Sequence, residues 1–456
     1  MLDDTIAAIS TPLGEGGLAI IRLSGPEALR IADGCFAPVG QRSLKPTAAA
    51  THTIQYGRIV QGGRIVDEVL LSVLRAPRTY TREDMVEISC HGGLLPAKLV
   101  LDTLLENGAR LAEPGEFTKR AFLHGRIDLT QAEAVADLIH SRTELALAAA
   151  NEQLAGKLAK RIHELRDEMV KTLAHIEAHI DFPEEDIAPD TKEQLLDRLT
   201  NAVAFMDRLL RTADEGQILR RGIRAAIVGR PNVGKSSLLN QLLGRDRAIV
   251  SPLAGTTRDT IEETANIRGL PVIFIDTAGL RRSGDMIELE GMRRSRETLR
   301  KAELILHVFD ASEPLTPEDE SYLAEFAPKN RIVVRNKIDL PGRLSLPANL
   351  NAPGVDVCCV TGQGIETLKD AIKEMIWAGK IGAEMLEVMI NSRHQDALQR
   401  ARAATIRTIE ALRSDLTLEL VALDLRLATN AVGEIVGKTA TEDLLDSIFS
   451  QFCLGK

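Results

Sequence analysis

The sequence predicts a multidomain fold: an α+β N-terminal domain is followed by a discontinuous α-helical domain, into which an α/β domain is inserted. Glycines and prolines punctuate strand patterns in the first 120 residues. Short apolar segments alternate with helical segments from residue 223 onward, and apolar residues at helical spacing occupy both flanks of that region. The N-terminal domain is predicted to span residues 1–120, and the inserted domain residues 216–378. The two helical parts are predicted at residues 121–215 and 379–456.

The N-terminal domain combines three predicted strands, residues 18–23, 69–74 and 85–89, with a predicted helix over residues 94–105. Arg22 and Glu87 are polar residues on two of these strands. Because half-exposed strands alternate polar and apolar residues, a solvated strand face is the favoured interpretation of each from the residues alone.

Long apolar stripes occupy the helical parts. Residues 154–180 carry apolar side chains at steps of three or four, which predicts one long helix stopped by Phe182-Pro183. A second stripe covers residues 195–210, and helical spacing returns after about residue 380. Several arginines among the last helices are equally consistent with an RNA contact and with a solvated face: Arg393, Arg400, Arg402, Arg407 and Arg413.

Composition limits the classes of function. The 456-residue chain is 44% hydrophobic, and its five cysteines show no C-x-x-C spacing, so neither a disulfide framework nor a zinc knuckle is expected. The net charge of -9 means that a nucleic acid would need a local basic patch, and 3% aromatic residues argue against base stacking. We expect a cytoplasmic protein, since the sequence shows neither a membrane span nor a signal pattern.

Residues 229–237 read G-R-P-N-V-G-K-S-S between a predicted buried strand, 223–228, and a helical pattern. That context predicts a phosphate-binding loop. Lys235 would reach the β- and γ-phosphates, and the Ser236 hydroxyl would bind Mg²⁺. The loop residues expected at the nucleotide are Asn232, Val233, Gly234, Lys235, Ser236 and Ser237.

Two further motifs are predicted to contact Mg²⁺ and the γ-phosphate. The first is Gly255-Thr256-Thr257, in which Thr257 would complete the metal shell. The second is Asp276-Thr277-Ala278-Gly279, in which Asp276 would hold the metal through water and Gly279 would bond the γ-phosphate.

A third motif, Asn336-Lys337-Ile338-Asp339, indicates the base. The Asp339 carboxylate can accept hydrogen bonds from N1–H and the 2-amino group of guanine, and adenine has neither donor, so the predicted nucleotide is GTP. Cys358-Cys359 stands where GTPases usually carry Ser-Ala, although a backbone N–H contact to the guanine oxygen would survive this change.

The C-terminus is Phe449-Ser450-Gln451-Phe452-Cys453-Leu454-Gly455-Lys456. It ends an apolar helix with a thiol near the terminus. From the residues alone, a buried structural cysteine is favoured over a reactive one.

The four motifs resemble those of Ras-like GTPase domains, and the whole chain resembles the MnmE (TrmE) family of tRNA-modification GTPases. Outside the GTPase motifs, the resemblance lies in Asp4 to Ala8, Pro114 to Phe122, Asp128 to Ala134, Asp181-Phe182-Pro183 and the C-terminal Phe-Cys-x-Gly-Lys. Leu280 replaces the glutamine that orients water in Ras-like proteins.

The resemblance implies K⁺ activation. Oxygens of Asn232, Ser251, Leu253 and Thr256 would hold the cation against the phosphates, although Asn232 is alternatively only a turn residue. It also implies that Glu288 positions the attacking water, with Glu290 its nearest competitor. Two G domains would pair around K⁺, in a homodimer formed through the N-terminal domain.

The resemblance further implies chemistry on tRNA. With the FAD protein MnmG (GidA), in a heterotetramer, the chain would form 5-(carboxymethyl)aminomethyluridine at the wobble position. The one-carbon unit would come from 5-formyl- or 5,10-methylene-tetrahydrofolate. Folate contacts are expected from Arg22, Glu87 and Lys456, and from Arg126, which replaces a family lysine. Cys453 would lie near the folate in a catalytic role that is left open.

Two other classes of function stay open at this point. One is a ribosome-assembly or signalling GTPase without modification chemistry. The other is a folate-dependent aminomethyltransferase that acts alone, with GTP in a structural role.

Overall fold

The computed structural model describes residues 4–181, 192–244, 263–275, 301–347, 350–377, 389–414 and 416–456. The chain divides into two compact units. The first unit comprises Met1–Ala136, Ala159–Thr200 and Arg400–Lys456, and the second comprises Asp137–Leu158 and Asn201–Gln399.

The first unit contains a seven-stranded sheet of order β3-β4-β5-β6-β2-β1-β7. Its strands are β1 (Ile6–Ile9), β2 (Leu18–Ser24), β3 (Phe36–Pro38), β4 (Thr53–Gln61), β5 (Arg64–Leu74), β6 (Met85–His91) and β7 (Arg110–Leu111). Helices α1 (Ala28–Cys35) and α2 (Leu94–Glu106) pack against one face of the sheet and enclose an apolar core. The three predicted strands and the predicted helix are confirmed.

The register of this sheet brings two predicted site residues together. Strands β2 and β6 are antiparallel, and Arg22 lies directly opposite Glu87. Side chains of directly opposed residues in an antiparallel pair project from the same face of the sheet. Both side chains are therefore on the face opposite the apolar core.

The helices that follow the N-terminal sheet are α3 (Glu116–Leu123), α4 (Leu129–His140), α5 (Glu144–Leu154), α6 (Lys157–Asp181) and α7 (Lys192–Leu210). The prediction of one long helix from residue 154 is wrong at its start. Leu154 ends α5, and α6 begins only after Gly156, whose φ of 83° is a left-handed conformation. The buried stripe of α6 therefore begins at Leu158.

The second unit contains a six-stranded sheet of order β13-β12-β11-β8-β10-β9. Its strands are β8 (Ile223–Val228), β9 (Glu263–Ile267), β10 (Leu270–Phe274), β11 (Leu304–Asp310), β12 (Arg331–Asn336) and β13 (Gly354–Asp356). The helices of this region are α8 (Ala213–Arg221), α9 (Lys235–Leu243), α10 (Pro317–Glu325) and α11 (Ile365–Ile376).

Two details of the second sheet differ from the prediction. The expected parallel sheet has an antiparallel edge, because β9 pairs with β10 in a hairpin. The predicted strand over residues 355–360 ends at Asp356, and Val360 is 87% exposed. A β-branched apolar residue in a turn gives the same local pattern as a strand, so the pattern overestimated the length of β13.

Three helices complete the described chain: α12 (Ser392–Arg413), α13 (Leu418–Val436) and α14 (Glu442–Phe449). They confirm the predicted return of helical structure after residue 380. Arg400 pairs with Glu434 and Arg407 pairs with Asp424, so two of the candidate RNA-contacting arginines make ion pairs within the chain. The expected fold class of α+β, helical and α/β parts is confirmed.

Candidate functional site: a nucleotide loop and a C-terminal cluster

The phosphate-binding loop lies between β8 and α9. Asn232 has a φ of 64° and Gly234 a φ of 101°, both left-handed. A Cβ atom at Gly234 would lie 2.2 Å from the side-chain nitrogen of Asn336, so only glycine fits there. The loop therefore folds into the sharp turn that directs backbone N–H groups toward an anion.

The Lys235 ammonium lies within this loop. Its Nζ donates hydrogen bonds to the carbonyl oxygens of Gly229 and Arg230, both at 2.6 Å. Burial lowers the pKa of Lys235 below its usual value. A phosphate oxygen bound in the loop would compete with these carbonyls for the same ammonium.

Asn336 joins the phosphate loop to the predicted base-binding loop. Its side-chain nitrogen donates to the carbonyl oxygen of Val233 at 2.8 Å, and its side-chain oxygen accepts from the backbone N–H of Cys359 at 3.2 Å. Asn336 is 3% exposed. Three motifs far apart in sequence therefore meet through one buried amide.

Asp339 is held by a thiol. The Sγ of Cys358 donates to Oδ1 of Asp339 at 3.2 Å, and Cys358 itself is buried. Asp339 is exposed, so its carboxylate is accessible to a nucleobase. Cysteine in place of the usual serine thus keeps a hydrogen bond to this carboxylate, although a thiol is a weaker donor than a hydroxyl.

Lys337 is tied to the end of strand β11. Its Nζ lies 2.5 Å from Oδ2 of Asp310. Burial would raise the pKa of Asp310, but hydrogen bonds from Lys337 and Ser312 hold that pKa below its usual value. Asp310 is therefore ionised at neutral pH and fixes the direction of the Lys337 side chain.

Several predicted nucleotide and cation residues lie outside the described residues. They are Ser251, Leu253, Thr256, Thr257, Asp276, Thr277, Ala278, Gly279 and Glu288. Asn232, Val233, Gly234, Lys235, Ser236, Ser237, Asn336, Lys337 and Asp339 all lie within the described part of the chain.

A second cluster lies on the N-terminal sheet, where the C-terminus of the chain meets strand β2. Arg22 Nε donates to Oε1 of Glu87 at 2.9 Å, and Arg22 Nη1 donates to the carbonyl oxygen of Gly455 at 3.2 Å. The backbone N–H of Phe117 donates to the carbonyl oxygen of Lys456 at 3.1 Å. These contacts hold the last two residues beside the Arg22–Glu87 pair.

Gly455 allows this close approach. It has a φ of 84°, and a Cβ atom there would lie 2.4 Å from the carbonyl oxygen of Ile9. Any other residue at that position would push the C-terminus away from the sheet. Burial lowers the pKa of the neighbouring Lys456 ammonium, and the positive charge of Arg22 adds to that effect.

Aromatic rings line the same cluster. The Arg22 guanidinium lies 5.6 Å from the centre of the Phe117 ring and 5.8 Å from that of Tyr80. Arg126 lies 4.7 Å from the centre of the Tyr80 ring and donates to the Tyr80 carbonyl oxygen at 2.9 Å. Tyr80 thus stands between Arg22 and Arg126. Neither ring was predicted at this site from the sequence, because nothing in the spacing of Tyr80 and Phe117 indicates that they meet these arginines.

The prediction from the residues alone that Cys453 is a buried structural cysteine is wrong. Cys453 is exposed, whereas its neighbour Phe452 is buried in an apolar cluster with Phe449. A buried structural cysteine was favoured because an apolar helix precedes it. That helix ends at Phe449, and in the following turn Phe452 takes the buried place and Cys453 faces outward.

No group of three or more His, Cys, Asp or Glu side chains able to hold a metal ion occurs among residues 4–181, 192–244 and the later described segments. No helix in those ranges is both long and apolar enough to cross a bilayer.

Comparisons with known proteins cover nearly the whole chain. Residues 5–126 match the family described as GTP-binding protein TrmE N-terminus, and residues 129–453 match the MnmE helical domain. The chain is 48% identical over 460 residues to a tRNA modification GTPase MnmE of Geobacillus kaustophilus, covering 99% of each chain. It is 46% identical over 461 residues to the protein of that name from Bacillus subtilis, covering 99% of this chain and 100% of the other.

Proposed function

The chain belongs to the MnmE family of tRNA modification GTPases, and from that premise we propose that it is a K⁺-activated GTPase acting with the flavoprotein MnmG (GidA). The two would form a heterotetramer in the cytoplasm and make 5-(carboxymethyl)aminomethyluridine at the tRNA wobble position. The observation that carries the proposal is the convergence of Arg22, Glu87 and the C-terminal Gly455-Lys456 on one sheet face. A GTPase that acts only as a molecular switch for a partner protein does not require such a cluster.

GTP and Mg²⁺ bind at the phosphate loop in this proposal. Lys235 contacts the β- and γ-phosphates, Ser236 and Thr257 bind the metal, and Asp276 contacts the metal through water. The Asp339 carboxylate accepts hydrogen bonds from guanine in this proposal. The amide bridge of Asn336 supports this arrangement, since it links the loop that would hold the phosphates with the loop that would hold the base.

Hydrolysis depends on a second cation in this proposal. Oxygens of Asn232, Ser251, Leu253 and Thr256 would hold K⁺, and the bound cation would supply positive charge near the β- and γ-phosphates. The left-handed, exposed turn at Asn232 supports that role, because it leaves the side-chain oxygen at the surface of the loop. Glu288 orients the attacking water when two G domains pair.

A reduced folate binds at the second cluster in this proposal. A pteridine ring carries amino and N–H groups that can donate hydrogen bonds to the Glu87 carboxylate. The carboxylates of a folate tail can form ion pairs with Arg22, Arg126 or Lys456. Tyr80 and Phe117 offer ring faces for the pteridine. Cys453 is exposed three residues from Lys456, so its thiol is accessible for a role at the one-carbon unit.

The N-terminal sheet supports the proposed homodimer. Tyr56 on β4 and Leu70 on β5 are directly paired, and they are 41% and 47% exposed. Ile54, next on the same face of β4, is 65% exposed. Adjoining exposed apolar side chains on one sheet face are typical of an interface, and a second copy of the N-terminal domain would cover them.

The decisive experiment measures wobble-uridine nucleosides in cells that lack this protein and are complemented with variants. We expect loss of the modified nucleoside in the deletion strain and recovery with the wild-type chain. Arg22→Ala would fail to restore it while GTP hydrolysis stays within about twofold. Arg30→Ala is the matched control, because Arg30 is an exposed arginine on helix α1, away from the Arg22–Glu87 face of the sheet. An unchanged nucleoside profile in the deletion strain would instead favour a ribosome-assembly or signalling GTPase.

A second measurement separates the cofactor from the overall function. Titration of the full-length chain with 5-formyl-tetrahydrofolate should show saturable binding that Arg22→Ala and Glu87→Gln weaken at least tenfold. Equal binding by wild type and both variants would remove this cluster from the folate role. Modification in the absence of MnmG would support the alternative of an aminomethyltransferase that acts alone.

A further inference from the structure

A hydrogen bond joins the connection between α4 and α5 to the edge of the GTPase sheet. Nη1 of Arg142 donates to the hydroxyl oxygen of Thr264 at 2.7 Å, across 122 positions of sequence. Thr264 lies on edge strand β9 and is 1% exposed, whereas Arg142 is an exposed residue. An exposed arginine therefore reaches inward to a buried hydroxyl on this strand.

Strand β9 has a particular place in the chain. It begins directly after residues 245–262, which include Thr256 and Thr257, and its hairpin partner β10 ends two residues before Asp276. Both segments proposed to contact the γ-phosphate and its metal are thus continuous with this hairpin. A nucleotide-dependent displacement of either segment would therefore be transmitted along the chain to β9 or β10.

The turn of the same hairpin rests on α5. Gly269 has a φ of 90°, and a Cβ atom there would lie 3.4 Å from the side chain of Leu145. Leu145 and Ala149 of α5 pack against a buried cluster that consists of Leu219, Leu270, Trp377 and Met389. The hairpin thus contacts the α5 region twice, by hydrogen bond at Thr264 and by apolar packing at its turn.

A third contact links the end of α4 to helix α8, which precedes β8 and the phosphate loop in the chain. Arg220 Nε donates to Oδ2 of Asp137 at 2.6 Å, and a terminal nitrogen of Arg220 pairs with the same oxygen. Arg220 belongs to α8, which ends one residue before β8 and its phosphate loop. Asp137 and Arg142, five residues apart, are therefore bonded to elements that precede and follow the phosphate loop in the chain.

We propose that residues 137–158 are the coupling element of this protein, and that Arg142 is the positioning residue that passes a nucleotide-dependent displacement of β9 to α5. The division of the chain supports this: Asp137–Leu158 belongs with the GTPase sheet, although residues before and after it belong to the other unit. The chain crosses between the two units at both ends of this segment, so movement of the element would be passed on covalently at both ends. The inference rests on the proposed GTP site.

The competing interpretation is a static brace, in which Arg142 only adds stability to the hairpin. The static brace and the coupling contact predict different effects of removing Arg142 on the structural difference between the GDP and GTP states. A brace changes the melting temperature and leaves the difference between GDP and GTP states intact. A coupling contact changes that difference, with little effect on the melting temperature because Arg142 is exposed.

The test is hydrogen exchange by mass spectrometry on the full-length chain with GDP and with a non-hydrolysable GTP analogue. In the wild type, exchange in residues 144–154 should differ at least twofold between the two nucleotides. Arg142→Ala should abolish that difference while GTP affinity stays within twofold. Thr264→Val, which removes the hydroxyl and keeps the shape, should do the same. Arg161→Ala, an exposed arginine on α6, is the control and should behave as the wild type.

Two outcomes overturn the proposal. One is a wild-type chain that binds both nucleotides yet shows no difference in residues 144–154. The other is a full nucleotide response in both Arg142→Ala and Thr264→Val. A wild-type chain that binds neither nucleotide would contradict the proposed GTP site itself, which is a separate failure. A second readout is tRNA modification, which should fall at least tenfold in Arg142→Ala while GTP hydrolysis stays within twofold.

Discussion

Sγ of Cys358 and Oδ1 of Asp339 lie 3.2 Å apart, so a buried thiol fixes the exposed carboxylate that we propose as the guanine reader. Cys358 is in turn held by its own backbone, since its N–H donates to the carbonyl oxygen of Gln363 at 2.9 Å. The two residues are 19 positions apart. The cysteine in this GTPase motif therefore donates a hydrogen bond to Asp339, as the more usual serine could.

The first prediction concerns this thiol. Cys358→Ala should weaken GTP binding by about two- to tenfold, because a neutral hydrogen bond contributes about 0.5–1.5 kcal/mol. Cys358→Ser should bind as tightly as wild type or more tightly, since a hydroxyl is the better donor. Fluorescent guanine-nucleotide titration measures both, with Cys35→Ala as a control in the first unit. Equal affinities for wild type and Cys358→Ala would show that the thiol does not support the carboxylate.

The second prediction concerns the alkali cation. GTP hydrolysis by the full-length chain should rise steeply with K⁺ and stay weak at the same ionic strength of Na⁺, because only the fitted cation neutralises charge at the phosphates. Steady-state phosphate release in the two salts measures this. Asn232→Ala should lose most of the K⁺ response while nucleotide binding persists. Identical rates in K⁺ and Na⁺ would exclude Asn232 from a cation role.

The third prediction concerns the exposed thiol near the C-terminus. Cys453→Ser should leave GTP hydrolysis within about twofold, because the residue lies near the C-terminal end of the chain and its change removes no group of the nucleotide loop. Modification of the wobble uridine should fail in the same variant if the thiol takes part in the chemistry. Nucleoside analysis and phosphate release on one preparation measure both properties. Normal modification in Cys453→Ser would dismiss the thiol.

The fourth prediction concerns the pH dependence of stability. His307 on β11 is fully buried and stacked on Phe309 at 4.2 Å, and neither ring nitrogen has a hydrogen-bond partner in the described part of the chain. Burial lowers the pKa of His307 to about 4, with a further contribution from Arg331, against an ordinary value of 6.5. The unfolded chain therefore binds a proton at a higher pH than the folded chain does.

This difference in the pKa of His307 between the folded and unfolded chain determines how the stability changes with pH. The stabilisation by neutral His307 is complete above pH 6.5 and is lost as the pH falls from 6.5 toward 4, by up to about 3 kcal/mol. Urea unfolding of the wild type between pH 7 and pH 4.5 measures the loss. His307→Phe should show a shallower pH dependence over that range. Parallel pH profiles for the two proteins would mean that His307 does not titrate on unfolding.

Sequence patterns predicted the nucleotide site better than the cluster at the C-terminus. The phosphate loop depends on local chemistry, since glycine spacing, Lys235 and Ser236 lie within nine residues. Strand β9 escaped prediction because Glu263 and Thr264 are polar residues that the tertiary structure buries. The break at Gly156 was missed because the apolar period continues through it, whereas the backbone turns there.

The sequence by itself determined the fold class and membership of a GTPase family, and it predicted the phosphate loop and a guanine-binding motif, because each of these depends on residues close together in the chain. The tertiary structure decided which distant residues meet. It brought Gly455 and Lys456 to Arg22, turned Cys453 outward, and set Arg142 against Thr264. Strand register and the close approaches that glycine permits produce such contacts, and no local pattern encodes them.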